Sequence, residues 1–258
     1  MLNDIKMRGV MAPQLLEVWI CPIYKTKDKR EIVNYRPVTV LNTEYKIITT
    51  AIMKRLTPIT PKMINKCQAT FLKGHSIFDQ IDLVNRMIEL CEIISQDGAI
   101  IALDQEKAYN RIRHDYLWLM LEKMGIPTPL INTIKSLYTN TKSMTIINGM
   151  LSKKFTIHQG VRQGDPLSSI LFNLAIEPLS IMLRNNNELK GLEIHTPNLT
   201  QRVIVSLFAD DTVVFMSKDN SLETLFELLD SWCTASGAKF NKEKKPSSWL
   251  ALPTTDRT

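Results

Sequence analysis

Two spacings of apolar residues alternate along the chain, and together they predict a mixed α+β fold. Short runs rich in β-branched and aromatic residues predict strands, whereas apolar residues three or four positions apart predict helices. The predicted strands are residues 17–25, 36–42, 99–104, 143–149, 153–159, 202–209 and 212–217, and the predicted helices are residues 45–56, 78–94, 114–124, 130–138, the second half of 158–179, and a segment between 220 and 237. Because several strands are joined as hairpins, α+β is favoured over a doubly wound sheet.

Turn-forming and capping residues predict the boundaries of these elements. Asn148-Gly149 predicts the turn of a hairpin. Glycine and proline predict where helices begin and end, at Gly125, Pro127, Pro166 and Gly237. Asn220 followed by Glu223 predicts a capping box at the start of the last helix.

One predicted turn carries two adjacent carboxylates between apolar strands. In SLFADDTVVF (206–215), Asp210 and Asp211 stand between two runs of β-forming residues. Aspartate is common in turns because its side chain bonds nearby backbone N–H groups. Paired carboxylates beside a core, however, repel each other unless a cation or a donor compensates. This stretch alone leaves a polar turn and a metal site as alternatives.

A third carboxylate favours the metal site. AIIALD (99–104) is a continuous apolar run, which predicts a buried strand that ends in Asp104. Three carboxylates at the ends of adjacent strands would supply the oxygen ligands that Mg²⁺ prefers. Two such ions about 3.5–4 Å apart stabilise the attacking and leaving oxygens of a phosphoryl transfer. The residues therefore point to nucleotidyl transfer without a covalent intermediate on the protein.

The charge distribution points to a polyanionic partner. The net charge of the 258 residues is +6, yet residues 1–75 alone hold 13 Lys and Arg against 5 Asp and Glu. A basic front suits nucleic acid or nucleotide phosphates, although a solvated basic surface explains it about equally well. We expect no membrane partner, because no apolar run approaches the roughly 20 residues of a membrane helix. The four cysteines have no metal-ligand spacing.

Six blocks of the chain resemble the reverse transcriptases of LINE-like non-LTR retrotransposons. The three central blocks are LDQEKAYNRI, HQGVRQGDPLSSILF and SLFADDTVVF. The flanking blocks are NYRPVTVLNTEYKI (34–47), QATFLKGHSIFDQI (68–81) and SGAKFNKEKK (236–245). FADD by itself is a weak signal, but six blocks in the family's order, within residues 17–248, are a specific one.

The resemblance implies a right-hand polymerase with fingers and an antiparallel palm sheet. Residues 1–95 are expected to belong to the fingers and residues 96–258 to the palm, within one continuous reverse transcriptase domain. The thumb, which grips the primer–template duplex in this family, is expected to be missing or truncated. We also expect no endonuclease segment and no Cys/His knuckle in the chain.

The implied activity is RNA-directed DNA synthesis, in which a deoxynucleotide is joined to a primer 3′-OH. By the resemblance, Asp104, Asp210 and Asp211 are the catalytic residues and the ligands of two Mg²⁺ ions, which Mn²⁺ could replace. The implied partners are an RNA template, a DNA primer and deoxynucleoside triphosphates. The family's usual location implies an intracellular, nuclear protein.

The resemblance also assigns residues that contact nucleotide, template or primer. The incoming nucleotide is assigned to Lys25, Arg36, Tyr109, Gln163, Gly164 and Lys244, and the template and primer to Arg162, Gln163, Gly164 and Phe208. Tyr109 matches the bulky position that disfavours a ribose 2′-OH, and Arg36 matches a triphosphate contact. The structural alternatives are a buried aromatic anchor for Tyr109, a surface ion pair for Arg36, a plain helix entry for Gln163-Gly164 and a solvated lysine for Lys244.

Several positions depart from the family's pattern and leave two further hypotheses open. The departures are Thr70, His75, Asn110, Ser169 and Lys245-Pro246. A catalytically inactive remnant would keep the fold and only bind nucleic acid. An RNA-directed RNA polymerase would share the chemistry, although Tyr109 argues against it.

Overall fold

The computed structural model describes residues 11–71, 74, 76–94, 97–196, 199–241 and 250–251. Lys244, His75 and Lys245-Pro246 lie outside these residues, so what the sequence predicts for them is not addressed by the structure. Within the described ranges, helices and mainly antiparallel strands follow each other irregularly, which confirms the α+β class.

The elements are numbered here in chain order. The helices are α1 (Pro13–Leu16), α2 (Thr43–Leu56), α3 (Thr60–Met63), α4 (Ile77–Ile94), α5 (Ala108–Arg111), α6 (His114–Lys123), α7 (Thr128–Tyr138), α8 (Ser168–Asn185) and α9 (Leu222–Ser236). The strands are β1 (Glu17–Tyr24), β2 (Tyr35–Val40), β3 (Gly98–Asp104), β4 (Lys142–Ile147), β5 (Met150–Leu151), β6 (Phe155–Thr156), β7 (Leu192–Thr196), β8 (Leu199–Val203), β9 (Val205–Phe208), β10 (Asp211–Ser217) and β11 (Leu250–Ala251). None of the helices in these ranges combines the length and the apolar character that a bilayer crossing requires.

The chain divides into two compact units, and each unit is assembled from two separate segments. Unit 1 consists of Met1–Ile59 and Tyr109–Phe172, and unit 2 of Thr60–Ala108 and Asn173–Thr258. The expected fingers (1–95) and palm (96–258) are functional segments that follow each other along the chain. That functional division stays a prediction.

Unit 1 contains a mixed sheet. β1 pairs antiparallel with β2 and parallel with β4, and β4 also pairs with β5 and β6. Between β4 and β5, Asn148 and Gly149 have φ values of 51° and 77°, the positive values that a type I′ turn requires. The predicted hairpin turn is confirmed, but the returning strand is two short pieces, β5 and β6.

Unit 2 contains an antiparallel sheet in the order β11-β3-β10-β9, with a separate β7–β8 hairpin. The single strand predicted over 202–209 is wrong, because β8 pairs with β7 whereas β9 pairs with β10. The predicted run RVIVSLFA (202–209) is apolar apart from Arg202 and Ser206, so periodicity did not show the break between the two strands. α4 packs Met87 and Cys91 into one core cluster with Ile100 and Phe215 of this sheet.

Two of the predicted helix ends are confirmed. α9 ends at Gly237, which has the left-handed conformation (φ 79°) and donates its N–H to the carbonyl of Cys233 at 2.8 Å. Gly125, which follows α6, has φ 78° and donates to the carbonyl of Glu122 at 3.0 Å. Glycine is favoured at both positions because it enters the left-handed region without steric cost.

The two predicted helix starts need correction. The cap of α9 is Ser221, whose side chain accepts from the N–H groups of the two residues that follow Leu222. Asn220 instead connects the end of β10 to the residue before β7, because its Oδ1 accepts from the N–H of Ser217 at 2.9 Å and of Gly191 at 3.2 Å. Pro166 precedes α8, which begins at residue 168.

Candidate active site

Asp104 and Asp211 face each other across two strands of unit 2. Asp104 is the last residue of β3 and Asp211 is the first of β10, and the antiparallel register makes them direct partners. Directly opposite residues lie on the same face of a sheet, with Cβ atoms about 4.5–5.5 Å apart. Like charges in this position repel each other, so the pairing favours a nearby cation or hydrogen-bond donor.

Asp210 lies in the turn between β9 and β10, beside a residue in the left-handed region. Ala209 has φ 54°, a conformation that non-glycine residues rarely adopt. The backbone N–H of Ala209 donates to Oγ1 of Thr70. Phe208, at the end of β9, is half-buried and is the second cross-strand partner of Asp211. The segment FADD is therefore a tight turn between paired strands, with Asp210 exposed at its tip.

Asp104 receives two hydrogen bonds from Asn241, a residue that sequence reasoning missed. Nδ2 of Asn241 donates to Oδ2 of Asp104 at 2.7 Å, and the N–H of Asn241 donates to the carbonyl of Asp104 at 2.9 Å. Nearby, the N–H of Glu106 donates to the carbonyl of Lys239 at 2.8 Å, and the two side chains form an ion pair. The segment that carries Asn241 is thus fixed along the end of β3, and its amide partly compensates the carboxylate.

The three carboxylates suit a hard divalent cation, but they are not a preassembled cluster. They offer only oxygen ligands, which Mg²⁺ prefers. Within the described ranges, no three His, Cys, Asp or Glu side chains are grouped as a metal site requires. The structure brings Asp104 and Asp211 together by strand register and places Asp210 at the exposed turn. The residues fit a cation by their chemistry and by this one pairing.

Tyr109 belongs to unit 1, where it stacks on Phe172. The ring centroids are 4.7 Å apart and the ring planes differ by 12°. Tyr109 is half-buried, and its carbonyl accepts from the N–H of Val161 at 2.6 Å. The stacking agrees with an aromatic anchor, while the partial exposure of Tyr109 is compatible with contact to a sugar. The role as a steric gate stays a prediction.

The loop that contains Gln163 and Gly164 lies against β2 in unit 1. The carbonyl of Gln163 accepts from the N–H of Thr39 at 2.9 Å. Gly164 has φ 105°, and a Cβ atom at this position would lie 2.9 Å from the carbonyl oxygen of Thr39. Glycine is required here by the close approach of backbone to β2. Contact of this loop with nucleotide or template stays a prediction.

Arg162, at the start of the same loop, is buried and has partners within unit 1. Its residue exposure is 6%, and its Nη2 donates to the carbonyl of Leu137 at 2.8 Å and to Oγ1 of Thr141 at 2.6 Å. The guanidinium carbon lies 4.6 Å from the ring centroid of Tyr45 and 5.1 Å from that of Tyr138. These contacts hold the start of the loop, and contact of Arg162 with a template stays a prediction.

Asp165 is the buried acid that accompanies this arginine. It is 4% exposed, and its Oδ1 accepts from the N–H of Leu167 at 3.1 Å. Burial raises the pKa of Asp165, and the hydrogen bond from Leu167 and the charge of Arg162 oppose that rise. Burial also raises the pKa of the Tyr45 hydroxyl, which donates to Oδ2 of Asp165 at 3.4 Å. Tyr45, Tyr138, Arg162 and Asp165 are called the charged cluster below.

The hairpin of β1 and β2 carries the two predicted triphosphate contacts. Arg36 lies directly opposite Ile23, and Lys25 follows β1 with its N–H bonded to the carbonyl of Asn34 at 3.0 Å. Both cationic side chains are exposed. Arg36 forms no ion pair with another described residue. The described residues therefore do not support the alternative that Arg36 serves only in a surface ion pair. Triphosphate contact stays a prediction for both residues.

A cavity of about 270 Å³ lies in unit 1 beside the loop of Gln163. Its wall includes Asn110 and His114. Nε2 of His114 lies 2.9 Å from the carbonyl oxygen of Gly160, and burial lowers the pKa of His114. Gly160 has φ 85°, and a Cβ there would lie 2.7 Å from the Cα of Asn110, so a side chain would collide with α5.

Sequence reasoning also missed two amides close to the aspartate turn, Gln68 and Asn173. Both are fully buried, and Nε2 of Gln68 donates to Oδ1 of Asn173 at 2.9 Å. The available signal was Asn173 itself, a single amide within the apolar run SILFNLAIEPL. A buried amide has hydrogen-bond partners, but the sequence does not reveal which residues those are.

The chain matches a family described as "Reverse transcriptase (RNA-dependent DNA polymerase)" over residues 25–248. It is 34% identical over 220 residues to the "Transposon TX1 uncharacterized 149 kDa protein" of Xenopus laevis, and the matched region covers 85% of this chain and 16% of that protein. It is 26% identical over 235 residues to the "Retrovirus-related Pol polyprotein from type-1 retrotransposable element R2" of Popillia japonica, covering 89% of this chain and 31% of that protein. The chain thus spans less than a third of the length of either relative.

Among solved structures, the chain is similar to telomerases of Candida tropicalis. For the apo enzyme truncated from the C-terminal domain, the TM-score is 0.58 at 15% identity, over 94% of this chain and 53% of that chain. For the enzyme in complex with the TWJ fragment of telomeric RNA, the TM-score is 0.60 at 14% identity, over 94% and 43%. At these identities the likeness concerns the fold, which is the α+β fold of right-hand polymerases.

Proposed function

Because the chain belongs to the reverse transcriptase (RNA-dependent DNA polymerase) family, we propose that it performs RNA-directed DNA synthesis at Asp104, Asp210 and Asp211. The observation that carries this proposal is the direct pairing of Asp104 with Asp211 across β3 and β10. Two segments far apart in the chain bring like charges together there, which a structural role alone would disfavour. The reaction joins a deoxynucleoside triphosphate to the 3′-OH of a DNA primer.

Divalent metal ions are generally used by the reverse transcriptase family. Here Asp104, Asp210 and Asp211 would hold two Mg²⁺ ions, or Mn²⁺ in their place. Bound cations would neutralise charge on the phosphate oxygens and make the primer hydroxyl more acidic. The oxygen-only donor set supports this assignment.

The strands and side chains around these carboxylates hold them in place. The strand register keeps Asp211 opposite Asp104, and the 2.7 Å hydrogen bond from Asn241 restrains the Asp104 carboxylate. Restrained ligands reduce the reorganisation that the reaction requires. The turn that carries Asp210 is held in the same unit by Thr70.

The remaining assignments concern nucleotide, template and primer. We assign the incoming nucleotide to Lys25, Arg36, Tyr109, Gln163, Gly164 and Lys244, and the template and primer to Gln163, Gly164 and Phe208, with Arg162 acting through the loop that it holds. The exposure of Lys25 and Arg36 supports contact with a triphosphate. The partial exposure of Tyr109 supports discrimination against a ribose 2′-OH.

RNA is the template partner that we propose. The excess of Lys and Arg in residues 1–75 suits a polyanion, and two telomerases of similar fold are complexes with a fragment of telomeric RNA. A nuclear location follows from this role, because a chromosomal DNA primer would be found there. Fluorescence imaging of the tagged chain in cells tests that location, and exclusion from the nucleus would contradict it.

Primer extension on an RNA template with Mg²⁺ tests the proposal. Asp210→Asn and Asp211→Asn should each lower the extension rate about 10²–10³-fold, as expected when a group that stabilises developing charge is removed. Asp219→Asn is the matched control, because Asp219 is an exposed aspartate just after β10 whose ion pair with Lys190 is long, at 3.9 Å. The control should extend as the parent does.

Other outcomes of this assay separate the competing hypotheses. Extension by Asp210→Asn at the parental rate would contradict the metal assignment. A parent chain that binds RNA in a salt-dependent manner but extends no primer would support the inactive remnant. A preference for ribonucleotides over deoxynucleotides would support an RNA-directed RNA polymerase.

A further inference from the structure

The turn between β9 and β10, which carries Asp210 and is called the aspartate turn, is hydrogen-bonded to Thr70. Thr70 precedes Ala209 of this turn by 139 residues. Ala209 is in the left-handed region with φ 54°, and its N–H points at Oγ1 of Thr70, to which it donates a hydrogen bond. Asp210 and Asp211 follow this residue directly. The direction in which the chain leaves Ala209 therefore decides where both carboxylates lie, and Thr70 contacts the turn at that residue.

Thr70 is itself held by two buried amides. Nδ2 of Asn173 donates to the carbonyl of Thr70 at 2.6 Å, and Oδ1 of Asn173 accepts from Nε2 of Gln68 at 2.9 Å. Exposures are 0% for Gln68 and Asn173 and 4% for Thr70. In such a dry environment, hydrogen bonds between neutral groups are strong and fix the positions of their partners. Gln68, Thr70 and Asn173 are called the amide network below.

Backbone pairing brings the amide network to the turn. The N–H of Leu207 donates to the carbonyl of Cys67 at 2.8 Å, and the N–H of Ala69 donates to the carbonyl of Leu207 at 3.1 Å. Residues 67–69 therefore run parallel to β9, and Gln68 and Leu207 form a parallel bridge. Because the two segments run in the same direction, Thr70 lies beside the turn that follows β9.

We propose that Thr70 is a positioning residue for the catalytic aspartates, and that Asn173 and Gln68 hold it in that role. This inference rests on the proposed function in so far as the aspartates are catalytic. Thr70 does not contact substrate in this role, since it acts by fixing the backbone at Ala209.

Removal of the hydroxyl tests the inference with a conservative pair of variants. Thr70→Val keeps the shape of the side chain and deletes the acceptor, whereas Thr70→Ser keeps the acceptor. We expect Thr70→Val to lower kcat for primer extension about tenfold, the lower end of the effect of residues that orient metal ligands, with KM for the deoxynucleotide unchanged. Thr70→Ser should stay within about twofold of the parent.

Hydrogen exchange gives a second measurement that does not depend on activity. The Ala209 amide should be protected from exchange in the parent and in Thr70→Ser, and it should lose that protection in Thr70→Val. Thr224→Val is the matched control, because Thr224 lies in α9 and its Oγ1 donates to Glu188, away from the turn. It should change neither kcat nor the exchange of Ala209.

A graded variant covers the case in which Thr70→Val does not fold. Gln68→Met removes the outer amide of the network, so we expect a smaller loss of kcat, about threefold, with intermediate protection of Ala209. Parental protection of Ala209 in Thr70→Val, or an equal loss of kcat in Thr70→Ser and Thr70→Val, would overturn the inference.

The two proposals fail in different ways. If the parent chain does not extend a primer, the proposed function fails, but the exchange of Ala209 still decides whether Thr70 holds the turn. Mn²⁺ affinity, measured by electron paramagnetic resonance, then replaces kcat. It should fall about tenfold in Thr70→Val and stay parental in Thr70→Ser, and equal affinity in all three chains would overturn the inference.

Discussion

Two segments, one in each unit, are held by different kinds of polar interaction. In unit 1, the loop before α8 is held by the charged cluster, in which a buried guanidinium lies over two tyrosine rings near a buried carboxylate. In unit 2, the aspartate turn is held by the amide network, whose members are all neutral. Both arrangements are almost inaccessible to water.

This difference determines how each segment responds to a substitution. Removing one member of a buried pair of opposite charges leaves the other charge uncompensated, which lowers the free energy of unfolding by about 3–5 kcal/mol. Removing one partner of a neutral hydrogen bond costs about 1–3 kcal/mol. Damage to the charged cluster should therefore appear as unfolding of the chain. Damage to the amide network should appear mainly as misplaced carboxylates in a folded chain.

The largest expected effect comes from breaking the charged cluster. Arg162→Met should lower the free energy of unfolding by about 3–5 kcal/mol, because it deletes the hydrogen bonds of Nη2 to Leu137 and Thr141 and removes the positive charge that opposes the raised pKa of buried Asp165. Urea unfolding followed by circular dichroism measures this loss. Arg113→Met is the matched control, because Arg113 is an exposed arginine of the same unit that pairs with exposed Asp115.

A double variant shows whether charge is the cause. When Arg162→Met is combined with Asp165→Asn, no charge remains in the cluster, and the new amide side chain keeps an oxygen that can accept from the N–H of Leu167. We expect this variant to regain part of the lost stability. A loss for Arg162→Met no larger than that of the Arg113 control would contradict the comparison between the two units.

A smaller, pH-dependent effect is expected from His114, beside the charged cluster. Burial is the main cause that lowers the pKa of His114 below its usual 6.5, and the positive charge of Arg162 and His158 lowers it further, while Asp115 and the carbonyl of Gly160 oppose the shift. Below pH 6.5 the unfolded chain therefore binds a proton at His114 more readily than the folded chain does. The stability that neutral His114 contributes is complete above pH 6.5 and is lost as the pH falls from 6.5 toward the lower pKa of the folded chain.

His114→Gln should remove this dependence, because glutamine does not titrate and its amide can still donate to Gly160. Urea unfolding at about pH 7.5 and about pH 5.5 measures it, and the parent should lose more stability between the two values than the variant. Equal losses in both chains would show that His114 does not report on the burial of this region.

The smallest effect is expected from a buried hydroxyl outside both arrangements. Thr212 is 0% exposed, and its Oγ1 has no hydrogen-bond partner in the described part of the chain. Thr212→Val should change the free energy of unfolding between zero and a gain of about 1 kcal/mol, since it removes an unsatisfied group. Primer extension should stay parental, although Thr212 follows Asp211 directly. A large loss would show that a further partner makes this hydroxyl part of the site.

Much of the fold could be predicted from local pattern. Gly125, Gly237 and the Asn148-Gly149 turn lie where their conformational preferences place them. The strand that ends in Asp104 was predicted from one apolar run, and the register adds that its partner is Asp211. These features depend on neighbours within a few residues, which the sequence shows directly.

Features that depend on distant partners could not be predicted. Asn241 meets Asp104 from the other end of the chain, and Gln68 meets Asn173 only once residues 67–69 run along β9. Ser221 caps the helix that Asn220 was predicted to cap, because the Asn220 side chain instead accepts from the N–H groups of Ser217, at the end of β10, and Gly191. In each case the side chain alone allowed several partners, and tertiary structure selected one.

The parallel pairing of β1 with β4 has a consequence for synthesis of the chain on the ribosome. Glu17 pairs with Lys142, so β1 has no β4 to pair with until the intervening residues have been made. At roughly 5–20 residues per second, that interval is on the order of 6–25 s. During it, one edge of β1 is open, and Val18 lacks the neighbours that bury it in the finished fold. While this edge is open, β1 can pair with a strand of another chain, so the nascent chain is exposed to aggregation until β4 has been made.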